Sequence, residues 1–285
     1  MTAFESLARA MQDWAALGRR VSNAAIDREW PWRGEDTDVR WGFFAAYSTL
    51  CDLANEIAAA RQAEGQPAST AQRALALYHT AYRELLGLLT QIDAVDFDRA
   101  PAAEEWPVRT VLEHIMFAEA RFLAVVRYAL ERHRRQDGLP LQAPDDYLAA
   151  ASPLVGSGGE MDEALARAAD LHARVVAELT DVGESELAAP VSWWYEADLR
   201  FHFYRFDAHL REHMVQIEKV IEAIRPGPSD ALRTLRLIYR AWGEVEGAAQ
   251  GAPETAAAAV ASVAAECADW ARTILELLSE RAAEA

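Results

Sequence analysis

The sequence predicts an all-α protein, and three observations support that prediction. About a fifth of the residues are alanine, the strongest helix former, and leucine, glutamate and arginine supply much of the rest. Apolar residues recur at the helical spacing of three and four positions, as in the stripe that runs from Leu75 to Leu89. No run of residues alternates apolar and polar side chains with the period of two that strands need.

Proline and glycine clusters divide the chain into about eight helices. Such clusters stand at Pro31/Gly34, at Gly138/Pro140 and at Gly251/Pro253, among other places, and each ends one periodic segment before the next begins. In chain order, we expect helices over residues 3–25, 37–63, 69–91, 107–134, 160–181, 197–225, 229–249 and 254–283.

An internal repeat relates two distant parts of the chain. A shift of 160 residues places the segment 38–44 (Asp-Val-Arg-Trp-Gly-Phe-Phe) on the segment 198–204 (Asp-Leu-Arg-Phe-His-Phe-Tyr). The same shift places Gly87 on Gly247. Agreement over separate segments favours duplication of a whole group of helices over chance similarity in an alanine-rich chain.

The repeat leaves two domain arrangements open. In the first, the central helices (68–227) form one four-helix bundle, and the chain ends (1–67 and 228–285) form a second, degenerate bundle. In the second, each half of the chain folds separately. A chain of 285 residues is long enough for about two domains, so its length fits either arrangement.

The composition excludes several classes of function. The chain has 28 Lys+Arg against 45 Asp+Glu, and a net charge of −17 is the wrong sign for binding nucleic acid. No apolar stretch reaches the roughly 20 residues of a membrane span, and charged residues interrupt the first turns, which argues against a secretory signal. The two cysteines, Cys51 and Cys267, fit a reducing compartment. We therefore expect a cytoplasmic protein that binds neither nucleic acid nor a membrane.

Histidines carry the main chemical signal in the sequence. His209 and His213 are four residues apart, so on a helix both imidazoles lie on one face and can reach one ion. Such a pair alone is a weak signal, because surface and core histidines are common in helical proteins. Here Leu210, Met214 and Ile217 mark the buried side of the helix that carries the pair.

These residues resemble those of the DinB-like superfamily, four-helix-bundle metal-binding proteins that include thiol-dependent S-transferases and mycothiol-dependent maleylpyruvate isomerase. The resemblance covers about residues 68–227. One mark is a Trp-Pro pair followed by a histidine on the second helix, here Trp106 to His114. The other is a His-x3-His followed by Gln-Ile on the fourth helix, here residues 209–217.

The resemblance implies a set of metal ligands. The three metal-ligating histidines would be His114, His209 and His213, which favours a central bundle in which two helices supply one site. None of the three has a histidine at its repeat position, so we interpret the second bundle as a copy without metal. A fused copy of this kind could take the place of a partner subunit, which predicts either a monomeric pseudo-dimer of bundles or a homodimer.

Three neutral imidazoles leave at least one position of the ion open, which is typical of catalytic sites. Imidazole suits Zn, Ni, Fe or Cu, and the sequence does not choose among them. The resemblance implies that the ion activates a low-molecular-weight thiol. That thiol would be external, because Cys51 and Cys267 lie in the degenerate repeat.

Some further side chains are candidates for lining a substrate pocket, although an aromatic stripe at helical spacing also fits an ordinary core. These candidates are His202, His79, Tyr78, Tyr82 and Phe206. By contrast, we expect His133 and His172 to be surface groups.

The first functional interpretation is a metal-dependent enzyme of thiol S-transferase, isomerase or hydrolase type that acts on a small molecule. The alternative is a non-catalytic helical binding or stress-related protein with a structural or empty metal site. A third interpretation is a scaffold whose paired bundles present a surface to a partner. The sequence assigns no catalytic residue, and the three histidines are candidate metal ligands.

Overall fold

A computed structural model describes residues 1–135, 138–150, 157–193 and 195–280, and these residues are mostly helical. The all-α prediction is confirmed. Eight long helices lie close to the predicted ranges. They are α1 (Ala3–Arg20), α2 (Val39–Ala63), α3 (Thr70–Leu89), α5 (Val108–Arg135), α7 (Met161–Leu179), α9 (Leu199–Ile224), α10 (Asp230–Ala249) and α11 (Pro253–Glu280).

The described residues also contain small elements that the sequence analysis did not predict. Three are short helices: α4 (Ala94–Phe97), α6 (Asp145–Ala149) and α8 (Glu184–Leu187). The others are two antiparallel strands, β1 (Pro190–Trp193) and β2 (Tyr195–Asp198), with Pro190 opposite Asp198. In β1 the buried side chains are Val191 and Trp193, so burial alternates as it does in a half-exposed strand.

Aspartates fix the start of two long helices at positions that the repeat relates. The Asp38 side chain accepts a hydrogen bond from the backbone N–H three residues later in α2, and the Asp198 side chain does the same in α9. Five residues after each cap, Phe43 and Phe203 are both fully buried. These parallels agree with the predicted duplication, which stays a prediction.

The chain divides into two compact units. One consists of Met1–Ala68, Thr80–Gln91 and Gly227–Ala285, and the other of Ser69–His79 and Ile92–Pro226. The predicted domain bounds differ from this division in α3, whose second half groups with the chain ends.

The unit formed by the chain ends has a core built on four long helices. In it, α1 packs against α11 and α10, and α2 packs against α10 and α11. Trp14 is fully buried, and its Nε1–H donates to the carbonyl oxygen of Cys267 over 3.0 Å. The Trp14 ring also meets Phe43 edge-on, with ring centroids 4.9 Å apart. Trp14 therefore joins α1 to α2 by ring packing and to α11 by a hydrogen bond.

The second unit is organised around α5. This helix packs against α9 and α7, and α4, α6 and β1 also contact it. Phe122 lies near the middle of α5, where its ring meets Phe206 of α9 and Trp193 of β1 edge-on at centroid distances of 5.6 and 5.3 Å.

Among all described residues, no helix combines the length and the apolar composition that crossing a membrane requires.

Candidate metal centre

Helices α5 and α9 bring the three predicted histidines together. His209 and His213 lie one turn apart on α9, so their rings project from the same face, with centroids 4.4 Å apart. His114 on α5 faces this pair. Its ring centroid is 5.4 Å from that of His209 and 4.6 Å from that of His213. We call His114, His209 and His213 the triad.

The nitrogen atoms of the triad converge. One ligand atom of each ring lies within 4.8 Å of the other two, and the described residues contain no other such group of three potential ligands. Nitrogens bound to one tetrahedral zinc ion are about 3.3 Å apart, given Zn–N bonds of about 2.0 Å. Modest side-chain rotations would therefore bring the three rings to bonding distance.

Burial favours the neutral imidazoles that metal binding needs. It lowers the pKa of His209 to about 3, and the positive charges of His213, His114 and Arg205 act in the same direction. Burial also lowers the pKa of His114. The charge of His213 adds to this effect, and the charge of Glu212 opposes it. Both rings are thus unprotonated near neutral pH.

Neighbouring side chains orient the rings. Nδ1 of His213 is 3.0 Å from Oε1 of Gln216, so a protonated Nδ1 donates to the amide oxygen and leaves Nε2 available for an ion. The Phe122 ring meets His209 edge-on at a centroid distance of 5.3 Å. On the other side of the triad, the centroid of Trp106 is 5.5 Å from that of His114.

The chemistry of the triad fits a divalent metal ion. Within the described part of the chain, the buried Nδ1 of His209 has no hydrogen-bond partner, which is an uncommon and costly state for a polar atom. An ion bound to the ring would offset the cost of desolvating it. The group contains neither a carboxylate nor a thiolate, so three imidazoles would leave part of the coordination sphere open.

An open cleft of about 560 Å³ lies beside His114 and His213. Its size is within the range of small-molecule sites. Trp106, which is 43% exposed, presents an apolar face there. The other lining residues are Pro101, Glu104, Glu105, Gln216, Lys219 and Val220.

The five predicted pocket side chains do not line this cleft. Tyr78 and Phe206 are fully buried, and their ring centroids are 5.4 Å apart. His202 is buried between α9 and the strands, with Trp193 as a ring neighbour. Tyr82 belongs to the second half of α3, which groups with the chain ends. The fifth, His79, is half-buried and belongs to a polar cluster whose other members are buried. A pocket role for these side chains stays a prediction.

This buried polar cluster joins α3, α5 and α7. The Tyr78 hydroxyl donates to Oε2 of Glu119 over 2.7 Å, and Nδ1 of His79 is 2.8 Å from Nε2 of His172. The ring centroids of Tyr78 and His172 are 4.5 Å apart. Burial raises the pKa of Glu119 to about 8, against the opposing effect of the Tyr78 hydrogen bond. The Glu119 carboxyl is therefore mostly protonated at neutral pH.

Glu119 was not predicted from the sequence, and the prediction of a surface His172 was wrong. His172 is only 4% exposed, because it lies on the stripe of α7 that also buries Leu171 and Val175. Glu119 likewise lies on an apolar stripe, that of α5, four residues before the buried Leu123. Position on an apolar stripe therefore predicts the burial of both groups better than their residue type does.

Comparison with protein families agrees with this geometry. Residues 77–217 match the family model described as the DinB superfamily, and this segment contains the whole triad. The superfamily is generally metal-binding. Neither curated proteins nor solved structures give a match to the chain. The family match therefore assigns residues 77–217 of this chain to the DinB superfamily.

Proposed function

We propose that this protein is a metal-dependent enzyme that acts on a small molecule at the triad. The observation that carries this proposal is the open cleft beside His114 and His213. A structural metal site is closed by four protein ligands, whereas a catalytic site keeps a position open toward a space that a substrate can enter. The proposed reaction is of thiol S-transferase, isomerase or hydrolase type.

The triad would hold a divalent ion such as Zn, Ni or Fe through three imidazole nitrogens. Such an ion lowers the pKa of a thiol or of water and thereby supplies a nucleophile near neutral pH. Both cysteines of the chain, Cys51 and Cys267, belong to the unit formed by the chain ends. A thiol nucleophile would therefore come from a small molecule.

The residues around the triad would control access and geometry. Gln216 would hold His213 in the tautomer that exposes Nε2. The aromatic ring of Phe122 packs on His209 and would exclude water from the inner side of the site. Trp106 lies against His114 at the cleft. Substrate would thus approach the triad from the side of Trp106.

Metal analysis of the purified protein tests the first half of this proposal. Wild-type protein loaded with Zn, Ni or Fe and then dialysed should retain one equivalent of one of them, since three imidazoles form a single site. His209→Ala and His213→Ala should lose most of this metal. The matched control is His133→Ala, which removes a histidine from α5 outside the triad. Equal metal content in all four proteins would contradict the assignment of the ligands.

Activity assays test the second half. Metal-loaded protein is mixed with an electrophile and, in turn, with small thiols or with no thiol, so that transfer and hydrolysis are separated. We expect turnover by wild type and by His133→Ala and its loss in His209→Ala. A protein that binds one ion tightly, shows four protein ligands and turns over nothing in these assays would be the non-catalytic alternative.

A further inference from the structure

The cleft beside the triad has a charge pattern that the proposed metal chemistry does not use. Glu104 and Glu105 line it from the segment before α5, and Lys219 lines it from α9. Within the part of the chain that the structure describes, none of these three side chains forms an ion pair or a side-chain hydrogen bond. Lys219 is also the only lysine in the sequence. The cleft therefore offers both a cation and carboxylates to a ligand.

His114 meets His213 and, further along α5, Phe122 meets Phe206, so α5 and α9 run antiparallel and the charged residues lie on the same side of the triad. Lys219 is six residues after His213 on α9, which is about 9 Å along a helix. Glu104 and Glu105 precede the first residue of α5, and His114 is six residues into that helix, again about 9 Å along its axis. A ligand that meets the charged groups would therefore extend from them toward the imidazoles.

Apolar side chains also line the cleft. Trp106 is close to His114, and Pro101 and Val220 also line the wall. An aromatic face beside aliphatic groups suits a short apolar chain or a sulfur atom. The cleft thus combines charged groups of both signs, apolar side chains and the triad.

We propose that this cleft binds an amino-acid-like zwitterion. Its carboxylate pairs with Lys219, its ammonium group pairs with Glu104 or Glu105, and its side chain passes Trp106 toward the triad. Since an α-ammonium and an α-carboxylate share one carbon, a single head group meets charges of both signs at the same end. A plain anion is disfavoured by the two glutamates and by a protein with a net charge of −17. The pairing of the head group with Lys219 and the glutamates does not depend on the proposed function. Only the placement of the ligand's side chain at the triad rests on it.

Binding of three thioethers tests the charge pattern independently of metal chemistry. The probes are S-methyl-L-cysteine, which carries both charges, 2-(methylthio)ethylamine, which carries the cation, and 3-(methylthio)propionate, which carries the anion. Dissociation constants are measured by ligand-observed NMR at low salt. An accessible ion pair contributes up to about 1 kcal/mol, so the zwitterion should bind about fivefold more tightly than either singly charged probe.

Charge variants assign the two halves of the head group. Lys219→Met should weaken S-methyl-L-cysteine about fivefold and leave 2-(methylthio)ethylamine unchanged. The double variant Glu104→Gln, Glu105→Gln should weaken both amines and leave 3-(methylthio)propionate no weaker. The control is Glu222→Gln, which removes one negative charge from α9 outside the cleft and should leave all three constants unchanged.

The outcomes separate this inference from the proposed function. Equal binding of the three probes, tighter binding of the anion, or insensitivity to both cleft variants would overturn the zwitterion proposal. His209→Ala should still bind S-methyl-L-cysteine, because His209 does not line the cleft. A protein without metal that shows the predicted probe order would retain this inference and lose the proposed enzyme. A metal-dependent enzyme that does not show the predicted probe order would retain the proposed function and lose this inference.

Discussion

Replacing Glu119 with glutamine tests whether the buried polar cluster holds a protonated carboxyl. In the folded protein this group keeps its proton up to about pH 8, whereas in the unfolded chain it loses the proton near 4.5. A raised pKa in the folded state means that the contribution of the group to stability is fully present below pH 4.5. It is then lost as the pH rises toward 8.

The size of this effect follows from the two pKa values. Each pH unit between them costs the folded state about 1.36 kcal/mol, so from pH 5.5 to pH 8 the wild type loses about 3 kcal/mol through this one group. Glu119→Gln cannot titrate and should not show this loss. The amide N–H of glutamine adds an unpaired donor, but the cost of that donor does not change with pH.

Urea unfolding followed by circular dichroism at several pH values measures the difference between the two proteins. The stability difference should move by about 3 kcal/mol in favour of Glu119→Gln between pH 5.5 and pH 8. Glu131→Gln is the control, because Glu131 lies on the same helix but forms an exposed i,i+4 pair with Arg135. Parallel pH profiles for wild type and Glu119→Gln would refute the protonated state of Glu119.

Three further substitutions test separate parts of the structure. Gln216→Ala should weaken metal binding about tenfold or more, because the ring of His213 loses its oriented tautomer, and competition with a chelator measures this. Gly243→Ala should destabilise the unit formed by the chain ends by about 1–3 kcal/mol, since its Cβ would lie 2.8 Å from the Cα of Thr80. Arg61→Met should cost about 2–4 kcal/mol, because the buried guanidinium donates to three backbone carbonyls that would lose their donor. Unchanged chelator competition in the first variant, or unchanged urea midpoints in the other two, would contradict these contacts.

Most of the long helices were predictable because the periodicity and the end signals of a helix lie within or beside its own segment of the chain. Periodicity together with Pro and Gly clusters predicted α2 and α10 to within two residues at both ends. The N-terminal ends of α2 and α9 also follow from Asp38 and Asp198, whose side chains cap the first turn. In α1 the prediction ran to residue 25, whereas the helix ends at Arg20.

The elements that escaped prediction depend on tertiary contacts. The two strands are four residues each and are too short for a clear period, and Val191 and Trp193 reveal their alternation only once burial is known. The division of α3 between the two units has no signal in its sequence either, because the apolar stripe continues along the whole helix.

The candidate site also has a part that could be predicted from the sequence and a part that could not. The triad was predictable from spacing and from the family motif, because both concern residues near one another on a helix. The cleft was not predictable, since Glu104 and Lys219 are distant in sequence and line one cleft only when α5 and α9 pack. Tyr78 and Phe206 are fully buried, as aromatic side chains at helical spacing often are, and their predicted pocket role stays a prediction.

The proposed function requires that three imidazoles hold one ion with a position open toward the cleft. Anomalous diffraction at the absorption edge of the metal, from crystals of the loaded protein, locates that ion and its ligands. We predict a single peak about 2.0–2.2 Å from one nitrogen each of His114, His209 and His213, with no fourth protein ligand. A peak elsewhere in the protein, or a fourth side chain that closes the coordination sphere, would contradict the claim.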